Sequence, residues 1–359
     1  MQEDRTLKLL TTLGVSGAAR YLVEVSDREQ IPEAMAFAAR TNCEICVLGG
    51  GSNLVIHDDG FDGLVLHMAN AGWSVLTDDG DSFVVRVGAG ESWDRFVAHC
   101  VAQGWWGIEN MSLIPGTVGA VPIQNVGAYG QEASDVLVRV DAWDVQMRQW
   151  VSLSAAECGF GYRSSIFARR ESGRYVISDV YFNLSRKGQP NLTHAAVAQH
   201  LSGSSVPSLK DMREAVIALR TDGRLPDPNR IGNAGSFFKN VTLTTEEHAL
   251  LLDRISFRYG EDAKTRLARA GYALPDQSGV KVPAAQLIDL CGLRGCSVGG
   301  AALYERNPMI VVNQSGEATA DDVRRLAQQV IRCVYEWTGI RLEPEPRFIG
   351  FGALAWDLA

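Results

Sequence analysis

The sequence lacks any run of about 18 apolar residues, the length that a membrane-spanning helix needs. Its first residues, MQEDRTLKLL, are charged and contain none of the apolar stretch that marks a secretory signal. Basic residues are also few, since 34 Lys and Arg face 42 Asp and Glu and leave a net charge of −8. This balance excludes a broad surface for nucleic acid or polyphosphate. We therefore expect a cytoplasmic protein with neither a membrane nor a nucleic-acid partner.

The cysteines do not follow the spacing of a disulfide framework either. The seven cysteines are an odd number scattered through 359 residues, which suits reduced thiols better than a disulfide framework. Cys43 and Cys46 have the two-residue gap of a redox or zinc pair, but no second pair accompanies them and a strand-like run follows. We interpret this pair as structural and expect no metal site.

Two common nucleotide-binding motifs are absent. No G-x-G-x-x-G leads into a helix and no G-x-x-x-x-G-K-[ST] occurs, which disfavours a Rossmann dehydrogenase and a P-loop enzyme. Ser236 has no G-x-S-x-G context, so a hydrolase nucleophile is disfavoured too. The sequence also has no internal repeat. Its 46% hydrophobic and 21% charged residues are ordinary for a globular protein, and its length predicts two or three domains at ~150 residues each.

Local patterns predict helices interspersed with short strands. Ser26 and Glu29 form a capping-box pattern before a helix that ends near Arg40. Strand-like runs fill the middle of the chain between Leu137 and Leu184, and this block is typical of an α+β fold. Further helices are predicted from Trp93 to Gly104, from Ser208 to Arg220, near 283–291, and over a long stretch capped by Thr319 and Asp322.

Two glycine-rich segments are candidates for a nucleotide cofactor. Gly49-Gly50-Gly51-Ser52-Asn53 follows a strand-like run, and residues 114–130 combine glycines and prolines with small apolar residues. Glycines let backbone amides approach a diphosphate closely, and Ser52 and Asn53 add side-chain donors. Gln124 and Asn125 are able to bind the polar edge of an isoalloxazine or adenine ring. Taken alone, each segment is equally consistent with a plain turn.

Two later segments carry charge in a pattern that suits a ligand. Arg224, Arg230 and Lys239 place three cations in the polar loop from Gly223 to Asn240, which favours a nucleotide diphosphate over a merely solvated loop. Glu343 and Glu345 lie two residues apart on an extended chain and thus share one face. Without other evidence, that pair also fits an exposed edge with prolines.

Five motifs together resemble one enzyme family. They are LGGGSN (48–53), IPGTVGAVPIQNVGAYG (114–130), CGFGYRSSIF (158–167), GNAGSFFKN (232–240) and LEPEPRFIG (342–350). They stand in the order found in the UDP-N-acetylenolpyruvoylglucosamine reductases, also called UDP-N-acetylmuramate dehydrogenases. The resemblance spans nearly the whole chain, and the retained YRSSIF loop is similar to the type I form.

The resemblance implies a fold and an activity. It implies an α+β protein whose FAD-binding region has two parts of the p-cresol methylhydroxylase type: 1–75, completed by 340–359, and 76–221. A substrate-binding domain over 222–339 follows. NADPH would reduce FAD and leave, and the reduced flavin would then reduce UDP-N-acetylglucosamine enolpyruvate to UDP-N-acetylmuramate for peptidoglycan. We expect a monomer with ping-pong kinetics.

The resemblance also assigns catalytic and cofactor residues. Arg163 would face the substrate carboxylate, Glu345 would assist it while protonated, and Ser236 would donate the proton. The implied FAD contacts are Gly49, Gly50, Gly51, Ser52, Asn53, Ile114, Pro115, Gly116, Gly119, Ala120, Gln124, Asn125, Gly127 and Tyr129.

The substrate contacts that the resemblance implies match this sequence less completely than the catalytic ones. Arg224 stands where the family often has lysine, Asn240 keeps the FFKN asparagine, and Asn307 falls where glutamine is common. Lys239 adds a cation beside Asn240. The loop tyrosine expected near the diphosphate is absent, and His194 stands in its place. The tail GFGALAWDLA departs from the family's acidic ending, so no flavin contact is assigned to it.

Two other functions stay open from the sequence. The chain could be another FAD-dependent oxidoreductase of the same superfamily, or a sugar-nucleotide-binding protein that has lost catalysis. Joint retention of Arg163, Ser236 and Glu345 argues against the inactive protein. The absence of a histidine or cysteine placed for covalent flavin attachment weakens the other flavoenzyme.

Overall fold

A computed structural model describes residues 1–168, 172–203, 206–274 and 279–352. Most of the divergent tail, 353–359, therefore lies outside the described residues. The chain divides into two compact units. Unit 1 contains Met1–Arg5, Ala19–Gly51 and Phe61–Asp222, and unit 2 contains Thr6–Ala18, Ser52–Gly60 and Gly223–Ala359.

Helices and strands alternate irregularly along the chain. The helices are α1 (Gln30–Thr41), α2 (Trp93–Ala102), α3 (Ala195–His200), α4 (Leu209–Thr221), α5 (Thr245–Tyr259), α6 (Glu261–Ala270), α7 (Ala284–Leu290) and α8 (Ala320–Thr338), with short 3-10 helices at Lys8–Leu10, Glu109–Met111, Val118–Ala120 and Ala133–Asp135. The strands are β1 (Gln2–Thr6), β2 (Ala18–Val25), β3 (Glu44–Leu48), β4 (Leu54–Ile56), β5 (Phe61–Met68), β6 (Trp73–Asp78), β7 (Ser82–Gly88), β8 (Gly127–Ala128), β9 (Gln131–Glu132), β10 (Leu137–Asp144), β11 (Gln149–Ser154), β12 (Tyr175–Ser185), β13 (Gly232–Ser236), β14 (Val241–Leu243), β15 (Tyr272–Ala273), β16 (Val280–Val282), β17 (Ser297–Val298), β18 (Ala301–Leu303), β19 (Ile310–Asn313) and β20 (Arg347–Ile349).

Unit 1 contains two main sheets. The first has the order β1-β2-β5-β3, and β5 pairs in parallel with both β2 and β3. The second has the order β11-β10-β12-β7-β6 and is antiparallel, with Val180 of β12 opposite Val87 of β7. One face of α2 packs into the core of this unit, where the rings of Trp93 and Phe96 both lie 5.8 Å from the ring of Phe182. Mixed parallel and antiparallel sheets with separate helices confirm the predicted α+β class.

Unit 2 is built around an antiparallel sheet and α8. The sheet order is β13-β19-β18-β17, a smaller sheet has the order β14-β16-β15, and β20 pairs in parallel with β4. The buried face of α8 carries Val323, Leu326, Val330 and Val334, as its periodicity predicts. The chain segment 52–60 belongs to this unit because β4 pairs with β20 and because the Asp58 carboxylate accepts hydrogen bonds from the first amides of α8.

Most of the predicted helix signals are confirmed. Ser208 and Thr319 cap α4 and α8, each within a full capping box. Ser26 does not cap α1, and that prediction is wrong: the helix begins at Gln30, whose side-chain Oε1 accepts hydrogen bonds from the amides of Ser26 and Asp27. A glutamine that bends back over the preceding turn takes the place of the expected serine cap.

The two units divide the chain at other points than most of the expected domain bounds. Unit 2 resumes at Gly223, next to the expected start of the substrate-binding domain at 222. Residues 6–18, 52–60 and 340–349 also lie in unit 2, although we assigned them to the first FAD-binding part. The expected FAD-binding and substrate-binding domains, with all their bounds, stay predictions.

Three observations concern cysteines, metals and membranes. All seven cysteines are free thiols. Over the described ranges, no group of three or more His, Cys, Asp and Glu side chains is arranged to hold a metal ion. Among the same residues, no helix combines the length and the apolar character that crossing a membrane requires.

Candidate functional site

In unit 1 the two glycine-rich segments lie against each other. A methyl group on Gly50 would lie 2.8 Å from the Gly116 Cα, and one on Gly49 would collide with the Thr117 side chain. Position 50 therefore requires glycine, because backbone atoms of Gly116 cannot move aside, whereas a side chain at position 49 would displace the Thr117 side chain. The buried Thr117 Oγ1 has no hydrogen-bond partner in the described part of the chain. A buried hydroxyl of this kind costs about 1–3 kcal/mol unless a ligand satisfies it. Sequence reasoning missed Thr117, whose only signal was its place inside IPGTVGA.

Helix α2 and its preceding turn anchor the start of the 114–130 loop. The amide of Trp93 donates to the Gly116 carbonyl at 3.0 Å, and the amide of Leu113 donates to the Asp94 carboxylate at 2.5 Å. Arg213 of α4 binds the same carboxylate with two nitrogens, at 2.7 and 3.0 Å. Burial raises the pKa of Asp94, but the bonds from Arg213 and Leu113 outweigh it and hold that pKa below its ordinary value.

Backbone strain is concentrated in this region. Leu113, Asn125, Tyr129 and Arg163 are non-glycine residues with φ of +59°, +44°, +50° and +49°. A left-handed conformation costs such residues roughly 1–2 kcal/mol each, and it persists only where the surrounding contacts enforce it. Strain of this kind is typical of ligand-binding loops, so its location supports a functional role for 113–129 and for Arg163.

Arg163, which the resemblance assigns to the substrate carboxylate, lies against the glycine-rich loop. It sits at the tip of a tight turn in which Gly161 and Ser164 exchange two backbone hydrogen bonds, at 3.0 and 3.1 Å. Its Nη2 donates to the Gly127 carbonyl at 2.8 Å. One residue past the turn, Ser165 Oγ donates to the Ile123 carbonyl at 2.6 Å. The structure therefore brings the predicted catalytic arginine to the predicted flavin loop within one unit.

The Asn125 side chain is hydrogen-bonded within the protein and does not face solvent. The side chain is buried, its Nδ2 donates to Glu132 Oε2 at 2.8 Å and to the Gly161 carbonyl at 3.3 Å, and its Oδ1 accepts from the Ser134 amide at 2.9 Å. Both donors and the acceptor oxygen are thus in use, and this geometry leaves no amide hydrogen for a flavin edge. The role assigned to Gln124, which is half-buried, stays a prediction.

The far end of the loop lies beside a histidine and an arginine. The His194 ring meets the Tyr129 ring edge-on, with centroids 5.1 Å apart. Burial lowers the pKa of His194, so its imidazole is neutral at pH 7 and contributes no charge to a diphosphate. Arg220, in the last turn of α4, was missed by sequence reasoning. Burial lowers its pKa, and nearby Tyr129 and Asp94 act in the opposite direction.

In unit 2 the other two predicted catalytic residues lie on paired segments. Ser236 ends β13, and the Glu345 amide donates to the carbonyl of the next residue, Phe237, at 2.8 Å. The Lys239 amide donates to the Glu343 carbonyl at 2.9 Å, so the segments run antiparallel. Asn53 joins this group, since its carbonyl accepts from the Arg347 amide at 3.0 Å and its Nδ2 lies 3.4 Å from the Glu345 carbonyl.

The predicted substrate residues of unit 2 mostly have partners. Lys239 Nζ forms an ion pair with Glu343 at 3.2 Å. Asn240 Oδ1 accepts from the first amide of α7 at 3.1 Å, and Asn307 Oδ1 accepts from the Met309 amide at 3.2 Å. Arg306 was missed: its guanidinium lies directly over Gly223, so that a side chain at position 223 would have to displace it.

Two family models and several known proteins match this chain. Residues 19–147 match the family described as FAD binding domain, and residues 227–349 match the C-terminal domain of UDP-N-acetylenolpyruvoylglucosamine reductase. The reductase of that name from Chromobacterium violaceum is 40% identical over 346 residues, which cover 96% of this chain and 97% of that protein. The one from Pseudomonas putida is 40% identical over 348 residues, covering 96% of this chain and 98% of that protein. The crystal structure of the reductase from Thermus caldophilus superposes with a TM-score of 0.61 at 25% identity, over 96% of this chain and 97% of that one.

Proposed function

Because this chain belongs to the family of UDP-N-acetylenolpyruvoylglucosamine reductases, we propose that it reduces UDP-N-acetylglucosamine enolpyruvate to UDP-N-acetylmuramate. It is an FAD-dependent oxidoreductase of peptidoglycan synthesis. NADPH is the proposed reductant. The observation that carries the proposal is the pairing of the segment after Ser236 with the segment that contains Glu345, because it provides a proton donor and a carboxylic acid on adjoining backbone.

The residues of unit 1 fit FAD. Gly49 and Gly50 leave room for backbone to approach a diphosphate, and the Thr117 hydroxyl offers a buried polar partner. The matched FAD-binding region, 19–147, includes both glycine-rich segments. When bound, FAD would supply the terminal enolpyruvyl carbon with a hydride that comes from NADPH.

The chain's own residues handle the charge and the proton. Hydride addition to the terminal carbon places negative charge on the adjoining carbon and its carboxylate. Arg163 binds that carboxylate with a permanent positive charge and a planar fork, and it stabilises the charge as it develops. Ser236 then transfers its hydroxyl proton to the adjoining carbon, which completes the addition of two hydrogens across the double bond. Glu345, protonated, donates a hydrogen bond to the same carboxylate.

Substrate recognition rests on cations and amides of unit 2. Arg224 is proposed to bind the diphosphate, together with Arg306, whose guanidinium lies over the neighbouring Gly223. Lys239 can bind a phosphate oxygen of the substrate only when it gives up its ion pair with Glu343. Asn240 and Asn307 use their carbonyl oxygens inside the protein, so their amide groups are the parts left to donate to substrate. Neutral His194 is proposed to contact the substrate through its ring and not through charge.

The protein should purify with FAD and show two separable half-reactions. NADPH should bleach the visible absorption of the bound flavin, and the enolpyruvyl sugar nucleotide should then restore it, because both ligands use the same site in turn. Initial rates at varied substrate concentrations should give parallel double-reciprocal lines. Release of FMN or of no flavin on denaturation would contradict the cofactor assignment, and a requirement for a ternary complex would contradict the shared site.

Replacing Gly50 by alanine should lower the FAD content of the purified protein at least tenfold. The added methyl group would lie 2.8 Å from the Gly116 Cα, so the two loops would have to separate. Flavin absorbance per polypeptide measures the effect. Gly203→Ala is the matched control, since a methyl group there meets no atom of the described residues within 4 Å. Equal FAD content in the two variants would show that contact between the loops is not needed for binding.

We also propose that the protein is a cytoplasmic monomer that contacts only small molecules. Its acidic pI of about 5.4 and its seven free thiols support the compartment. Light scattering combined with size-exclusion chromatography tests the oligomeric state, and a mass well above 39.0 kDa would overturn it.

A further inference from the structure

We propose that Asn125 is a positioning residue for Arg163 and does not read the edge of the flavin. This inference rests on the proposed function, in which Arg163 binds the substrate carboxylate. It replaces the cofactor contact that the resemblance implied for Asn125. The residues involved all belong to unit 1.

The hydrogen bonds of Asn125 are directed entirely into the protein. Its side chain is only 1% exposed, and a side-chain amide has two hydrogens and one oxygen to offer. One hydrogen goes to Glu132 Oε2 at 2.8 Å, the other to the Gly161 carbonyl at 3.3 Å, and the oxygen accepts from the Ser134 amide at 2.9 Å. Asn125 therefore joins β9 and the following 3-10 turn to the turn that carries Arg163.

The Gly161 carbonyl closes the turn that carries Arg163. It accepts from the Ser164 amide at 3.1 Å as well as from Asn125, so a single oxygen both closes the turn and attaches it to the loop. Arg163 at the tip has a φ of +49°, a strained conformation that neighbouring contacts must maintain. Fixing the base of the turn limits where the guanidinium can lie.

A second hydrogen bond holds the guanidinium end of Arg163. Arg163 Nη2 donates to the Gly127 carbonyl, and Gly127 lies two residues after Asn125 on the same loop. The turn that carries Arg163 and the Arg163 guanidinium are thus both hydrogen-bonded to residues 125–127. A displacement of about 1 Å at a positioned group can cost 10²-fold in rate. Loss of the Asn125 contact should therefore appear as poor use of substrate.

The first test is N125D, which keeps the side-chain volume but removes both donors and sets a second carboxylate beside Glu132. Per bound FAD, we expect reoxidation by the enolpyruvyl sugar nucleotide to slow at least tenfold, while reduction by NADPH changes less than twofold. Stopped-flow absorbance measures both steps. If N125D does not fold, Asn125→Ser, which adds no charge, should show the same selectivity.

The second test separates the two hydrogen bonds that the Asn125 amide donates. In N125D/E132Q, the new amide at position 132 can donate to the new carboxylate at position 125, but no side chain at position 125 donates to the Gly161 carbonyl. The melting temperature should therefore recover, whereas reoxidation should stay slow. E132Q alone should react like the wild type, because its carbonyl oxygen still accepts from Asn125. A role in folding alone would predict that the rate recovers together with the melting temperature.

Asn70→Asp is the matched control. Asn70 is also buried in unit 1, donates to the Ser178 carbonyl at 2.7 Å and accepts from the Gly90 amide at 3.2 Å, but it does not contact the Arg163 turn. Its substitution should lower the melting temperature without slowing reoxidation selectively.

Three results would overturn the positioning role. They are equal slowing of both half-reactions by N125D, a shifted flavin spectrum that indicates direct contact, and full recovery of the reoxidation rate in N125D/E132Q. Failure of the proposed function gives a different result, namely wild-type flavin that the sugar nucleotide does not reoxidise. In that case the coupling between N125D and E132Q in melting temperature still tests the Asn125–Glu132 contact.

Discussion

Replacing Ser236 by alanine is expected to stop almost all reoxidation of the reduced flavin by substrate, while FAD binding and reduction by NADPH survive. The residue is exposed at the end of β13, and in the described part of the chain its hydroxyl makes no hydrogen bond, so the substitution removes little from the fold. Without a proton source, the carbanion formed by hydride addition returns its hydride. Loss of a general acid is typically worth about 10²–10⁴-fold, and we expect at least that reduction.

Rapid mixing of each half-reaction separately measures the effect of Ser236→Ala. Ser236→Cys should recover part of the rate, because a thiol is the stronger acid at a similar reach. Equal slowing of the two half-reactions, or no slowing of the second, would show that Ser236 is only structural.

Arg163→Met is expected to have the second largest effect. It should slow reoxidation by substrate about 10²–10³-fold, the usual result of removing one group that stabilises charge in a transition state, and should also raise the KM for substrate. Reduction by NADPH should remain within a few fold of wild type. Arg163→Lys should recover little, since one ammonium cannot reproduce the planar fork that binds a carboxylate with two parallel hydrogen bonds.

The control for Arg163→Met is Arg139→Met. Arg139 lies in the same unit, pairs with Asp141 at 3.4 Å and stacks over the Tyr181 ring, but has no assigned role in the reaction. Both variants should be folded by circular dichroism. If Arg163→Met reoxidised as fast as Arg139→Met, Arg163 could not be the group that binds the substrate carboxylate.

Helices with a single clear apolar face and a cap could be predicted from the sequence alone. The spacing of Trp93, Phe96, Val97 and Cys100 predicted α2, and all four are buried. By contrast, α5 and α6 were not predicted, although Thr244 and Glu247 form a capping box at the start of α5. Apolar residues lie on both faces of α5, where Leu250 is 70% and Phe257 96% exposed, and this obscures its periodicity. Helix α6 buries only Ala263 and Leu267 and has too few apolar residues for a clear pattern.

The sequence by itself predicted the two glycine-rich loops and the capped helices α4 and α8, and it supplied the motifs from which the roles of Arg163, Ser236 and Glu345 are proposed, because these signals lie within a few neighbouring residues. Only the tertiary structure decided which groups meet. It paired Lys239 with Glu343, turned the Asn125 amide toward the Arg163 turn, and joined residues 52–60 to unit 2. Such contacts depend on backbone pairing and burial between segments far apart in the chain, and the spacing of residues along a sequence does not encode them.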